Sequence, residues 1–190
     1  MIYNSLSEIF DSIDKTRARL RARLEAVAGA EDGQESLRPS PDAWSVAEIA
    51  EHLAIIEERL SRLFPVMVTK AEAGGLQRSA DKPFQPVSVE EMIERSAREK
   101  YTAPETARPT GSVPIADSLA RLERSRESIR ALQPRLEMLD LTDVTYPHPA
   151  FGPMSAYQWL IFIGAHEYRH LRQIDSLLAA NRESESRKVN

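Results

Sequence analysis

The sequence contains no cysteine, which removes disulfides, thiolate metal ligands and a cysteine nucleophile together. It also lacks any apolar run near the ~20 residues that a membrane span requires. Lys and Arg number 25 against 29 Asp and Glu, so the net charge is −4 and there is no basic excess to cover a phosphate surface. Neither nucleic acid nor a membrane is an expected partner. The first residues, MIYNSLSEIFDSIDK, show no basic segment followed by an apolar one. No signal peptide is therefore expected, and the cytoplasm is the expected compartment. Period-two alternation is missing too, at least on the scale of the helical patterns described next.

What is present is helical. Of 190 residues, 42% are hydrophobic and 28% charged, the balance of one compact domain with well-solvated faces. Apolar residues recur at helical spacing in four long stretches. The first runs from Leu6 to Val27, through Ile9, Phe10, Ile13, Leu20 and Leu24. The second starts at Ser45 and carries Ile49, Leu53, Ile56, Leu60, Phe64 and Met67. The third spans about Pro114 to Leu139, and the fourth about Ser155 to Ala180. The spacing predicts an all-α protein. Residues 1–180 form the expected domain, and 181–190 a charged, frayed tail.

Helix starts are marked by capping boxes, Ser45-Val46-Ala47-Glu48 and Ser155-Ala156-Tyr157-Gln158. Trp44 is placed to staple onto Ile49, and Met154 onto Trp159. A third box, Ser88-Val89-Glu90-Glu91, predicts a short helix in the connection between the second and third long ones. Pro65 and Pro134 each remove a backbone donor, so kinks or ends are expected there. Residues 30–44 and 140–154 look like short polar loops. Residues 74–111 are long enough to return the chain to the end it left, which implies an up-down-down-up four-helix bundle.

Four histidines are present, and two lie in His166-Glu167-Tyr168-Arg169-His170. Positions i and i+4 share one helix face, so two imidazoles so placed can grip one metal ion. Both fall in the apolar stripe and should point inward. His52 lies seven residues past Ser45, about 10 Å down the second helix, and an antiparallel fourth helix brings His170 to a similar height. The three are the predicted metal ligands. His148 should lie ~16 Å or more away, in a loop at the far end.

Three neutral imidazoles suit Zn²⁺, Ni²⁺, Fe²⁺ or Cu²⁺, and they leave a coordination position open for water or substrate. Residues 166–170 also match the HExxH signature of zinc peptidases, but the continuation is wrong. A metzincin would need glycine and histidine where Gln173 and Ser176 stand. A glutamate ligand could come only from Glu183 or Glu185 in the tail, and no strand is predicted to align a peptide. Glu167 is rotated about 100° from His166 around the helix and so borders the site. It is either a general base acting on water at the metal or a partner of surface arginines. Glu48 and Glu51 are candidate acceptors for a ring N–H.

The stretch from Trp44 through Glu48, Glu51 and His52 to Leu53 resembles the second-helix motif of the DinB/YfiT-like superfamily. Phe151-Gly152-Pro153-Met154, then Gln158-Trp159 and the run from His166 to Ile174, resembles its fourth-helix motif. The likeness spans nearly the whole chain in helix order. It implies the same bundle and a three-histidine site at His52, His166 and His170, holding one divalent metal, zinc or nickel foremost. Characterised members include S-transferases and isomerases that use low-molecular-weight thiols such as bacillithiol or mycothiol, and many form dimers.

The resulting expectation is a metal-dependent transferase or hydrolase acting on a small molecule, with a homodimer permitted. Its pocket mouth would be walled by residues 30–44 and the end of the crossover, including Tyr101 as a cofactor-binding residue. The competing expectation is a metal-binding or stress-response protein without catalysis.

Overall fold

The computed structural model describes residues 2–79, 83–88 and 103–189. Strand β1 (Ile2–Tyr3) leads into helix α1 (Leu6–Ala28), and α2 covers Val46–Ala73. After β2 (Val87–Ser88) come α3 (Ile115–Arg130) and the short α4 (Gln133–Met138). The hairpin β3 (Thr145–His148) and β4 (Gly152–Ser155) precedes the last helix, α5 (Ala156–Val189).

The caps form as the sequence predicts. Ser45 accepts from the Glu48 N–H while the Glu48 carboxylate accepts from the Ser45 N–H at 2.7 Å. Gln158 Oε1 likewise accepts from the Ser155 N–H at 2.8 Å, and Ser155 Oγ accepts in return. Of the third predicted box, only Ser88 is described, and it lies in β2, paired with Ile2. Val89 to Glu91 fall outside the described residues.

Contacts between helices fix their directions. Ile13 meets Gly164 and Arg23 pairs with Asp175 at 2.7 Å, so α1 and α5 run parallel. A Cβ on Gly164 would come within 2.9 Å of Ile13 Cγ2, so glycine is what lets these two helices approach this closely. Glu58 pairs with Arg121 and Glu72 with Arg135, so α2 runs parallel to the α3–α4 segment. Asp14 reaches Arg126 while Arg21 reaches Glu123, so α1 opposes α3. The order is up-down-down-up. Two apolar clusters fill the interior, one around Phe10, Phe64 and Leu160, the other around Leu24, Ile49 and Ile174.

Of the kink or end expected at Pro65, an end does not form, and the second helix continues to Ala73. Pro65 lies on the exposed face and leaves the Ser61 carbonyl without its helical donor, while Phe64, Met67 and Val68 stay buried beside it. Pro134 behaves as expected, since α3 ends at Arg130 and the proline opens α4. The last helix runs to Val189 rather than fraying near Ala180. Polar side chains support it at i,i+4 spacing, as where Asn181 donates to Glu185 at 3.0 Å. The loop at 140–154 is largely a β-hairpin in which Pro147 faces Pro153. No described helix is long and apolar enough to cross a membrane.

Candidate metal centre

His52 enters from α2, and His166 and His170 from adjacent turns of α5. Their ligand nitrogens all lie within 4.8 Å of one another. Nε2 of His166 is 3.2 Å from Nε2 of His52 and 3.2 Å from Nε2 of His170. Two nitrogens bound at 2.0–2.1 Å to a tetrahedral ion would stand about 3.3 Å apart, so the spacing fits one metal ion.

The outward nitrogens support the same reading. His52 Nδ1 is 2.7 Å from the Ala107 carbonyl, which can only accept, so that nitrogen carries the hydrogen. His170 Nδ1 donates to Gln173 Oε1 at 3.1 Å. In both rings the lone pair is thereby placed on Nε2, facing the centre. His52 and His170 are nearly inaccessible, at 3% and 1% exposure, and His166 is half-buried. Trp44 lies against the His52 ring at 4.7 Å, so the 30–44 connection reaches the site. Tyr101 lies outside the described residues.

Glu48 and Glu51 do not hold a ring N–H as expected. A backbone carbonyl takes that role, and Glu51 acts one step further out. Its carboxylate accepts from the Thr110 N–H at 2.9 Å, the Thr110 hydroxyl at 2.8 Å and the Gly111 N–H at 3.0 Å. The left-handed backbone at Gly111 (φ +77°) makes this turn possible and suits glycine. Glu51 thus clamps the end of the crossover that carries Ala107.

Glu167 points into the bundle, at 2% exposure. Its Oε1 accepts from Arg17 Nε at 2.9 Å and from Arg126 Nη2 at 3.3 Å. Arg17 also pairs with Glu57, Arg126 donates to Glu57 Oε1 at 3.0 Å, and the Arg17 guanidinium donates to the Leu122 carbonyl at 2.8 Å. Two buried cations and two buried anions, one from each long helix, therefore meet just below the histidines. Of the two expected roles for Glu167, pairing with arginines is the one formed, in the interior rather than at the surface. Burial raises its pKa to about 7 against the pull of both arginines. Its Oε2 has no hydrogen-bond partner among the described residues, and Glu57, Glu167 and His166 border a cavity of about 10 Å³.

The network escaped sequence reasoning, although a signal existed. Arg17, Glu57, Arg126 and Glu167 each interrupt an apolar stripe, between Ile13 and Leu20, Leu53 and Leu60, Leu122 and Ile129, and Ile163 and Leu171.

His148 is nearer than expected. Its ring packs 4.9 Å from Phe162, which stacks 5.3 Å from His166. That path is too short for the ~16 Å separation obtained from helix rise. His148 Nδ1 accepts from the Ala150 and Phe151 N–H groups, closing its own turn.

Burial lowers the pKa of all four histidines, that of His148 to about 4. A folded pKa below the unfolded value of ~6.5 means that the unfolded chain binds more protons as pH falls through that range. Their contribution is present above about pH 6.5 and is lost below it. Glu167, raised, acts in the opposite sense between about 4.5 and 7, but one group opposes four. The melting temperature of metal-free protein should fall from pH 7.5 to pH 5. A rise toward acid would contradict neutral, buried rings.

Among known proteins, the family model described as "DinB superfamily" matches residues 12–174. The uncharacterized protein YuaE of Bacillus subtilis (strain 168) is 28% identical over 160 residues, covering 82% of this chain and 92% of that protein. A crystal structure titled TT2238, a four-helix bundle protein, superposes with a TM-score of 0.53 at 22% identity. It covers 88% of this chain and 98% of the other, and supports the fold alone.

Proposed function

From the premise that the chain belongs to the DinB superfamily, we propose that His52, His166 and His170 hold one divalent metal, zinc or nickel, in an enzyme acting on a small molecule. The observation that carries this is the convergence of three Nε2 atoms at metal-ligand spacing, with two of the rings fixed from behind. A structural zinc site would close its sphere with four protein ligands, whereas the cluster has three members among the described residues. Three ligands leave a position for an incoming donor atom.

His52, His166 and His170 would hold the ion, which would supply Lewis acidity toward water or a thiol. The chain's own part is to orient and to exclude water. Trp44 covers the His52 ring, Ala107 and Gln173 fix two ring tautomers, and Phe162 stacks on His166. The favoured reaction is S-transfer from a low-molecular-weight thiol. Sulfur forms a bond to an electrophilic carbon, the leaving group departs with its electron pair, and the thiol proton passes to solvent or base. Hydrolysis of a small substrate at the same site would have water as nucleophile, its proton passing to a base and the leaving group departing with its electron pair. Glu167 keeps a place as proton acceptor only through Oε2, because Oε1 is committed to arginine.

The test is metal analysis of protein purified without a histidine tag, followed by conjugation of a model electrophile with a panel of small thiols. About one equivalent of metal per chain and metal-dependent conjugation or hydrolysis are expected. Protein free of transition metal sinks the metal site. Metal without turnover in either assay sinks the enzyme and leaves a non-catalytic metal-binding protein.

A further inference from the structure

Of the three residues between the two ligands on α5, Arg169, next to His170, carries charge without a counter-ion among the described residues. Arg169 Nη2 lies 2.9 Å from His170 Nε2, the nitrogen that faces the centre. Among the described residues no carboxylate pairs with this guanidinium, although Arg17, Arg121, Arg126, Arg130 and Arg135 are all paired. The carboxylates closest in sequence to His52 are engaged elsewhere, Glu48 with Arg38 and Ser45, Glu51 with Thr110 and Gly111. The groups behind two of the rings are a carbonyl and an amide, both neutral.

The charge count follows directly. Glu57 and Glu167 below the rings are balanced by Arg17 and Arg126, so three neutral imidazoles, a divalent ion and Arg169 leave a strongly positive site in which His52 and His170 are almost fully buried. Such a site is unfavourable unless what enters it is negative. With an ion on His170 Nε2, like charge pushes the guanidinium away from that nitrogen. Its attachment one residue from His170 nevertheless keeps it at the edge of the three-histidine cluster. A planar fork of donors there matches an oxyanion in two-point contact.

Resting on the metal reading above, we propose that Arg169 is a specificity-determining residue, and that the natural ligand is a small molecule carrying an oxyanion a few bonds from the donor atom that meets the metal. Donor atom and oxyanion then engage two fixed points, the metal and Arg169, which orients the ligand as well as selecting it. Trp44 and Phe162, packed against the rings of His52 and His166, add apolar surface, and the nearby carboxylates of Glu57 and Glu167 are already paired with Arg17 and Arg126.

The experiment uses full-length protein loaded with Co²⁺, whose visible spectrum reports ligand exchange at the metal. Three probes of similar length are titrated: 3-mercaptopropionate, neutral 3-mercapto-1-propanol and 2-mercaptoethylphosphonate. Wild type should bind at least one anionic thiol about tenfold to a hundredfold more tightly than the neutral one, the size of a charge-assisted hydrogen bond. The carboxylate and phosphonate arms then identify which oxyanion is preferred. In Arg169→Gln the preference should fall to near unity, with Co²⁺ affinity and neutral-thiol affinity retained, and Arg169→Lys should restore part of it. Arg169 is exposed, so both variants should fold. Equal binding of charged and neutral thiols by wild type overturns the inference, as does a preference that survives in Arg169→Gln. Protein that binds no Co²⁺ overturns the metal reading, and this inference with it.

Discussion

His170→Ala should reduce metal affinity by about two orders of magnitude and abolish metal-induced thermal stabilisation at concentrations that saturate wild type. Structural zinc sites with four ligands are worth roughly 10–16 kcal/mol, so one ligand of a set accounts for about 3 kcal/mol. Each 1.4 kcal/mol is about tenfold in affinity. In wild type, free metal at about a hundred times its dissociation constant adds about 2.7 kcal/mol. In a domain of this size that shifts the melting temperature by roughly 5–10 °C. The variant at the same metal concentration should show a shift near zero. His170 is almost fully buried, so alanine also leaves a void, and the metal-free variant will melt lower than metal-free wild type. His170→Gln, closer in volume, separates the two effects. It should approach the wild-type melting temperature without metal and still fail to respond to metal. If both variants gain the same stabilisation as wild type, the three rings are packed histidines and not a site.

The legibility of this site followed from its chemistry. Histidines at 166 and 170 stand out because polar rings at i,i+4 on an apolar stripe are costly to bury without a purpose. His52 could be matched to them because straight helices make height along a bundle a matter of counting residues. The same counting failed for His148, because the chain before α5 is not an extension of the helix. It folds back as a hairpin, and Phe162 joins its tip to the site. The hairpin itself was hidden by its prolines. Pro147 and Pro153 face each other at a pair that needs no N–H, and they erase the alternation that marks a strand. The crossover's contributions through Ala107, Thr110 and Gly111 were hidden for another reason. They act through backbone groups, and no side-chain pattern encodes a carbonyl.

The buried charges were missed because each, taken alone, looks like an interruption of a stripe. Together they form a balanced set, and this predicts how the protein fails when one is removed. Arg17→Met should destabilise the fold by about 3–5 kcal/mol, because it strands Glu57 and Glu167 with only Arg126 between them. At roughly 2–4 °C per kcal/mol, the melting temperature should drop by about 6–20 °C. The loss should also depend on pH. Burial already raises Glu167 to about 7 in the presence of Arg17, which pulls it down, so removing Arg17 raises it further. A carboxyl whose folded pKa lies above its unfolded value is favourable while protonated, and that contribution is lost as pH rises through the folded pKa. Denaturant unfolding of Arg17→Met and wild type should therefore differ less at pH 5.5 than at pH 8. Replacing all four charges by apolar residues of similar volume should cost less than the single change, since no ion is left without a partner. A single variant that loses under 1 kcal/mol, equally at both pH values, would mean that water reaches these groups and that the network is not the dry junction described above.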